Sequence, residues 1–240
     1  MWRAAFAAAM ALGVAACDGI NDRVVFADDT GNGGSVGNGG GNGGGNGGGN
    51  GGGNGGGAPS TFELQLLHFA DVDGAGGADD VRNFSALVDG FRSEKPNNTL
   101  LLSSGDNFIP GPEFFAAGDD SLAGVLGEPD AGRANIAWLN ALGVQASVVG
   151  NHDLDVGPGG LAALIASDGS WPGAQFPYLS ANIDFSGTAD DEDVDLAELT
   201  VPDGQAARAN SVAGSATVQV AGETIGIVGT SVPSLPSITD

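Results

Sequence analysis

The sequence predicts an α/β fold, a layered sheet flanked by helices, because short apolar runs alternate along the chain with longer amphipathic ones. Three of the apolar runs also end alike, each delivering a carboxylate or carboxamide into a glycine-marked loop. Composition then confines the fold to the part of the 240-residue chain that follows Ala58.

The strands are short. Phe62 to Ala70 alternates and then turns wholly apolar, while Thr99 to Ser103, Gln145 to Val149 and Tyr178 to Ile183 read as buried strands. Between them, Asp80 to Lys95 sets Val81, Phe84, Leu87, Val88 and Phe91 on one helical face. Asp130 to Leu142 does the same with Ile136, Leu139 and Leu142, and Gly159 to Ala166 reads as a third helix. Asp184 to Asn210 is polar and reads as an exposed excursion, with five acids between Asp190 and Asp195. A solvated loop is the default there and a calcium loop the alternative. Ala216 to Ala221 and Thr224 to Thr230 form a hairpin around Gly222-Glu223, and two prolines leave no regular structure from Ser231 to Asp240.

Residues 1–17 carry one charge, Arg3, followed by an apolar run from Ala4 to Ala16 that ends at Cys17, the only cysteine. This is the pattern of an export signal. The run falls short of the ~20 residues that a membrane-spanning helix needs. Val14-Ala15-Ala16-Cys17 resembles the lipobox of bacterial lipoproteins, which implies acylation of Cys17 and a membrane-anchored lipoprotein of the cell envelope, periplasmic or cell-surface. An ordinary cleaved signal with an incidental cysteine is the alternative. Residues 18–58 form a tether: Gly31 to Gly57 holds nineteen glycines and six asparagines and offers nothing to bury. Its 27 residues span about 30 Å, enough to hold a domain off a membrane surface. Residues 59–240 are the folded part.

Formal charge is −23, and the folded part alone carries 26 acids against 5 bases. Nucleic acid is excluded as a partner by that balance. A surface so acidic also repels anions, so an anionic ligand could bind only where bound cations invert the local field.

The chemistry concentrates in the three loops, at Asp71-Val72-Asp73-Gly74, Gly105-Asp106-Asn107 and Gly150-Asn151-His152-Asp153. In an open α/β sheet, ligands bind beyond the carboxyl ends of the strands, so the loops converge on one crevice with hard oxygen donors pointing inward. A pair of divalent ions needs a carboxylate shared between them, and Asp106 is the natural bridge.

Strand–Asp-x-x, strand–Gly-Asp and strand–Gly-Asn-His-Asp, in that order, resemble the signature of the calcineurin-like metallophosphoesterases. Leu66-Leu67-His68, Ser103-Ser104-Gly105-Asp106, Val149-Gly150-Asn151-His152-Asp153 and Phe176 to Asn182 are similar to the 5'-nucleotidase branch. The likeness runs from about Phe62 to Pro236 and implies a metallophosphoesterase-type layered sheet whose second half is incomplete. It makes Asp71 a ligand of the first metal, Asp106 the bridging ligand and Asn151 a ligand of the second. It places His152 beside the phosphate, where it stabilises or protonates the leaving oxygen. The implied reaction is metal-dependent hydrolysis of a phosphoric ester, on a nucleotide or a related small phosphorylated substrate, by a hydroxide held between two divalent ions. His68, which precedes the motif, reads as a packed, hydrogen-bonded histidine, either in the core or supporting the ligands from behind, rather than as a ligand.

The sequence departs from the family in two ways. Asp73 stands where a histidine is usual, which moves the site toward Mn, Mg or Ca and away from Zn. The family's later motifs bring three more histidines, whereas this sequence holds only His68 and His152. The expectation is therefore a fragment with little activity alone. The alternative from another class is a non-catalytic calcium- or phosphate-binding cell-surface module. A calcium loop of EF-hand type starting at Asp71 fits poorly, since its fifth and twelfth positions fall on Ala75 and Arg82.

Overall fold

The structure, a computed structural model, describes residues 8–12, 62–72, 78–187 and 195–235. Cys17, the glycine–asparagine tether, Asp73 and the acidic residues 190–193 lie outside the described residues. For residues 8–12 the backbone alone is described, as a strand, β1 (Ala8–Leu12), within the segment that the sequence reads as an export signal.

The folded part opens with β2 (Gln65–Phe69), α1 (Ala78–Glu94) and β3 (Thr99–Ser103). Two short helices, α2 (Pro112–Ala116) and α3 (Ala123–Leu126), precede α4 (Arg133–Leu142) and β4 (Ala146–Val148). Then come α5 (Gly157–Ile165), β5 (Tyr178–Leu179), α6 (Leu196–Leu199) and β6 (Val212–Ala213). The hairpin of β7 (Ser215–Val220) and β8 (Glu223–Gly229) follows.

Strands β2 to β6 form one parallel sheet in chain order. Parallel neighbours need crossovers, and right-handed crossovers that always step in the same direction fall on one face of the sheet. Two apolar clusters record the result. On the helical face, Phe69, Leu101, Val149 and Tyr178 pack with Val88, Ile136, Leu139, Leu161 and Ile165. On the opposite face, Leu64, Leu100, Leu102, Ala146, Leu179 and Ala213 pack with Ala216, Val220, Ile225 and Ile227 of the hairpin. The alternation of Leu100, Leu101 and Leu102 between clusters is the period-two geometry of a strand buried on both sides. The layers are thus helices, parallel sheet and a smaller second sheet, in which β8 lies between β7, antiparallel to it, and β1, parallel to it.

Helix α1 turns Phe84 toward the sheet, where its ring meets Phe69 edge-on at 5.3 Å and Trp138 of α4 at 5.7 Å. Val88 is buried one turn on, but Leu87 is exposed, so the apolar stripe is narrower than its sequence pattern. Arg92 reaches across to donate to the carbonyl of Leu142 at 2.6 Å, capping the last turn of α4.

Most departures from the sequence reading are of length. Strand β5 stops at Leu179 because the chain then bridges the two sheets: Ser180 N–H donates to Ala213 and Ala181 N–H to Gly229. Helix α4 starts three residues later than its apolar pattern suggests, at a left-handed Gly132. The excursion expected from Asp184 to Asn210 is a correction. Phe185, Leu196 and Val201 are buried, and α6 packs inward with an Asp195 side-chain cap on Ala197 N–H. Among the described residues, no helix is long and apolar enough to cross a membrane.

Candidate metal centre at the strand ends

Asp71, Asp106 and Asn151 follow β2, β3 and β4, three neighbouring parallel strands, at the same end of the sheet. Their loops are laced together through the backbone. Ser104 N–H donates to Phe69 O at 2.9 Å and Asp71 N–H to Gly105 O at 3.2 Å, joining the first loop to the second. His152 N–H donates to Asp106 Oδ1 at 2.8 Å, joining the third to the second.

Asp71 and Asp106 are two of only four non-glycine residues with positive φ among the described residues, at 54° and 52°. Aspartate tolerates this left-handed region better than most residues, and such backbone persists where surrounding bonds over-determine it. The two glycines of the motifs are needed for close approach. A Cβ at Gly105, where φ is +98°, would come 2.5 Å from the amide nitrogen of Gly150, and one at Gly150 would come 2.2 Å from Asp106 Oδ1. The carboxylate of Asp106 therefore rests against bare backbone of the neighbouring loop.

Burial differs across the set. Asp106 is 7% exposed, Asn151 and His152 are half-buried, and Asp71 is exposed. The His152 ring donates through Nδ1 to Asp155 Oδ2 at 2.6 Å. The sequence reading does not single out Asp155, although its i+3 spacing from His152 on a short 3₁₀ turn is a legible signal.

The larger omission is Asp153. This carboxylate is fully buried and accepts three backbone amides: Gly150 N–H at 2.9 Å, Asn107 N–H at 3.0 Å and Asp106 N–H at 3.2 Å. Burial pushes its pKa up to about 7, the nearby Asp106 charge adds to the rise, and the three amides oppose it. Beneath it the side chain of Asn107 is held by Ser103, Ser147 and Tyr178, all buried. Tyr178 is pushed well above the ordinary phenol range, first by burial and then by the charge of Asp153.

His68 bonds to Ser104 Oγ through Nε2, as a hydrogen-bonded rather than ligating histidine would. Its side chain is exposed on the edge strand β2, so of the two sequence readings it is not a core histidine, whereas its bond to Ser104 at the start of the β3 loop fits a histidine that supports the ligand loops; nearby protein still lowers its pKa by desolvation. Among the described residues, no three of His, Cys, Asp and Glu gather closely enough to hold a metal ion. Asp73 lies outside those residues, and Asn151 offers an amide oxygen instead. The donors present are all oxygens on adjoining strand ends, a set that fits hard divalent cations and not thiophilic ones.

Among solved structures, the chain is similar to a 5'-nucleotidase precursor from Thermus thermophilus, with 26% identity and a TM-score of 0.49 over 74% of this chain and 30% of that one. It is also similar to the NAD nucleotidase of Haemophilus influenzae, with 21% identity and a TM-score of 0.49 over 72% of this chain and 27% of that one. The chain thus spans less than a third of the length of either. No protein-family model matches the sequence, and no curated protein does.

Proposed function

We propose that this chain contributes metal-holding residues to an exported phosphoric ester hydrolase of the 5'-nucleotidase kind. The observation that carries the reading is the lacing of three motif-bearing loops at the ends of adjacent parallel strands, with Asp106 between its two neighbours. Asp71, Asp73, Asp106 and Asn151 are the residues that would hold two divalent cations, Asp106 being shared. Bound cations supply charge neutralisation for the phosphoryl oxygens and acidify a nucleophilic water.

The chain's own residues supply position and a proton. Gly105 and Gly150 bring two loops to backbone contact, so that Asp106 and Asn151 are presented from fixed strand ends. Asp155 accepts from Nδ1 of His152, which fixes the ring and leaves Nε2 as the nitrogen that serves a leaving oxygen. The substrate class is a small phosphorylated molecule such as a nucleotide, which the −23 chain would repel without cations. Export and acylation at Cys17 complete the proposal and place the domain on a tether at the cell envelope.

The test has two parts. The chain is titrated with Mn²⁺ by calorimetry, and Asp106→Asn removes most of the binding. Hydrolysis of p-nitrophenyl phosphate and AMP with Mn²⁺ is then compared in the product of the complete reading frame, with and without Asp106→Asn. Equal rates end the hydrolase reading. Calcium binding without turnover supports instead a non-catalytic module.

A further inference from the structure

The loops after β3 and β4 exchange carboxylates. Asp106, on the first, accepts the N–H of His152 on the second at 2.8 Å. Asp153, on the second, accepts the N–H groups of Asp106 and Asn107 on the first at 3.2 and 3.0 Å, and that of Gly150 on its own loop at 2.9 Å. A fully buried carboxylate with three amide partners costs heavily to desolvate, and an apolar residue of similar volume would fill the same space more cheaply. What the apolar residue would not do is fix the direction of three amides. One of these belongs to Asp106, whose φ of 52° is an uncommon conformation that needs outside support.

We infer that Asp153 is a positioning residue, a buried clasp that holds the β3 and β4 loops in one geometry and thereby sets how Asp106 and Asn151 face a divalent cation. The inference rests on the two-cation reading of the site. The clasp is anchored below. Asn107, whose amide it binds, sends its side chain into the buried cluster of Ser103, Ser147 and Tyr178, with Ser103 Oγ donating to Asn107 Oδ1 at 2.7 Å and Asn107 Nδ2 donating to Ser147 Oγ at 2.8 Å. A shift of Asp153 is therefore not absorbed by the β3 loop, whose other end is fixed in the sheet. It appears at Asp106 and Gly150.

The experiment uses the full chain and Mn²⁺ as probe. Asp153→Asn keeps one acceptor oxygen but turns an NH₂ group toward an amide that itself donates, so at least one of the three clasp bonds is lost with little change of volume. The expected result is a Mn²⁺ affinity weaker by roughly 10- to 100-fold, the scale seen when groups that orient metal ligands are removed. Leu139→Ala, a buried change on α4 away from the loops, serves as the control for plain destabilisation and leaves Mn²⁺ affinity unchanged. If Asp153→Asn binds Mn²⁺ as the wild type does, or loses no more than Leu139→Ala, the clasp has no positioning role. Amide hydrogen exchange on the wild-type chain keeps the idea testable if Asp153→Asn does not fold. Slow exchange at 106, 107 and 150 supports the clasp, and exchange at the rate of free peptide overturns it. A wild-type chain that binds no Mn²⁺ while those amides stay protected sinks the two-cation reading instead.

Discussion

The carboxylate of Asp106 lies directly over the Cα of Gly150, so close that a methyl group on that carbon would sit 2.2 Å from Oδ1. Both residues belong to motifs legible in the sequence, but their contact across two loops is a property of the fold. Gly150→Ala is expected to lower stability by about 2 kcal/mol, within the range for overpacked sites, and to weaken Mn²⁺ binding by displacing Asp106. Urea denaturation and a Mn²⁺ titration measure the two effects on one sample.

His152 and Asp155 make a second prediction. In the product of the complete reading frame, Asp155→Asn leaves the imidazole without its carboxylate partner and is expected to reduce kcat by about 10²-fold, the lower end of general acid–base contributions, with KM little altered. The loss is smaller for p-nitrophenyl phosphate than for AMP, because nitrophenolate leaves without help. Equal losses on both substrates contradict a proton-delivering role.

Metal removal gives a third. A cation bound only by the folded chain stabilises it by mass action, by about 2.7 kcal/mol at a hundred times its Kd. For a domain of this size that corresponds to a rise in Tm of roughly 5 to 11 °C on adding Mn²⁺ to chelator-treated protein. Scanning calorimetry measures the shift, and Asp106→Asn is expected to abolish it.

Helix α1 supplies a fourth. Val88 is buried whereas its neighbour Leu87 stands out of the apolar stripe. Val88→Ala is expected to cost about 2 kcal/mol, mostly through the cavity it leaves, and Leu87→Gln to change stability by less than about 0.5 kcal/mol. Urea unfolding of the two variants separates them, and a reversed order would mean that the helix sits in a different rotation.

Much of this fold is legible because its strands are short, apolar and punctuated. The apolar run from Thr99 to Ser103 matches β3 to the residue, and the hairpin of β7 and β8 is present but turns at Ala221-Gly222, both with positive φ, one residue before the Gly222-Glu223 turn that the sequence suggests. Strand β6, of two residues, gives no periodic signal at all and exists because Tyr178 and Leu179 offer it a ladder. Helix α6 is hidden by charge: the acidic run before it in the sequence reads as solvent-exposed, yet Leu196 is fully buried. At the site, Asp71, Asp106, Asn151 and His152 are visible as motif positions. Asp153 stands in its motif unremarked, since an acid beside a histidine gives no sign in sequence of being completely buried or of binding three amides from two loops.

The order of the main sheet, β2 to β6 without a reversal, has a consequence for how the molecule is made. Each strand pairs with the one just before it in the chain, so every pairing closes the shortest crossover this parallel order allows and no pair has to open to admit a later strand. The hairpin is the last regular element of the described chain and covers the face that the helices leave bare, so that face has no cover until the chain has run past β6.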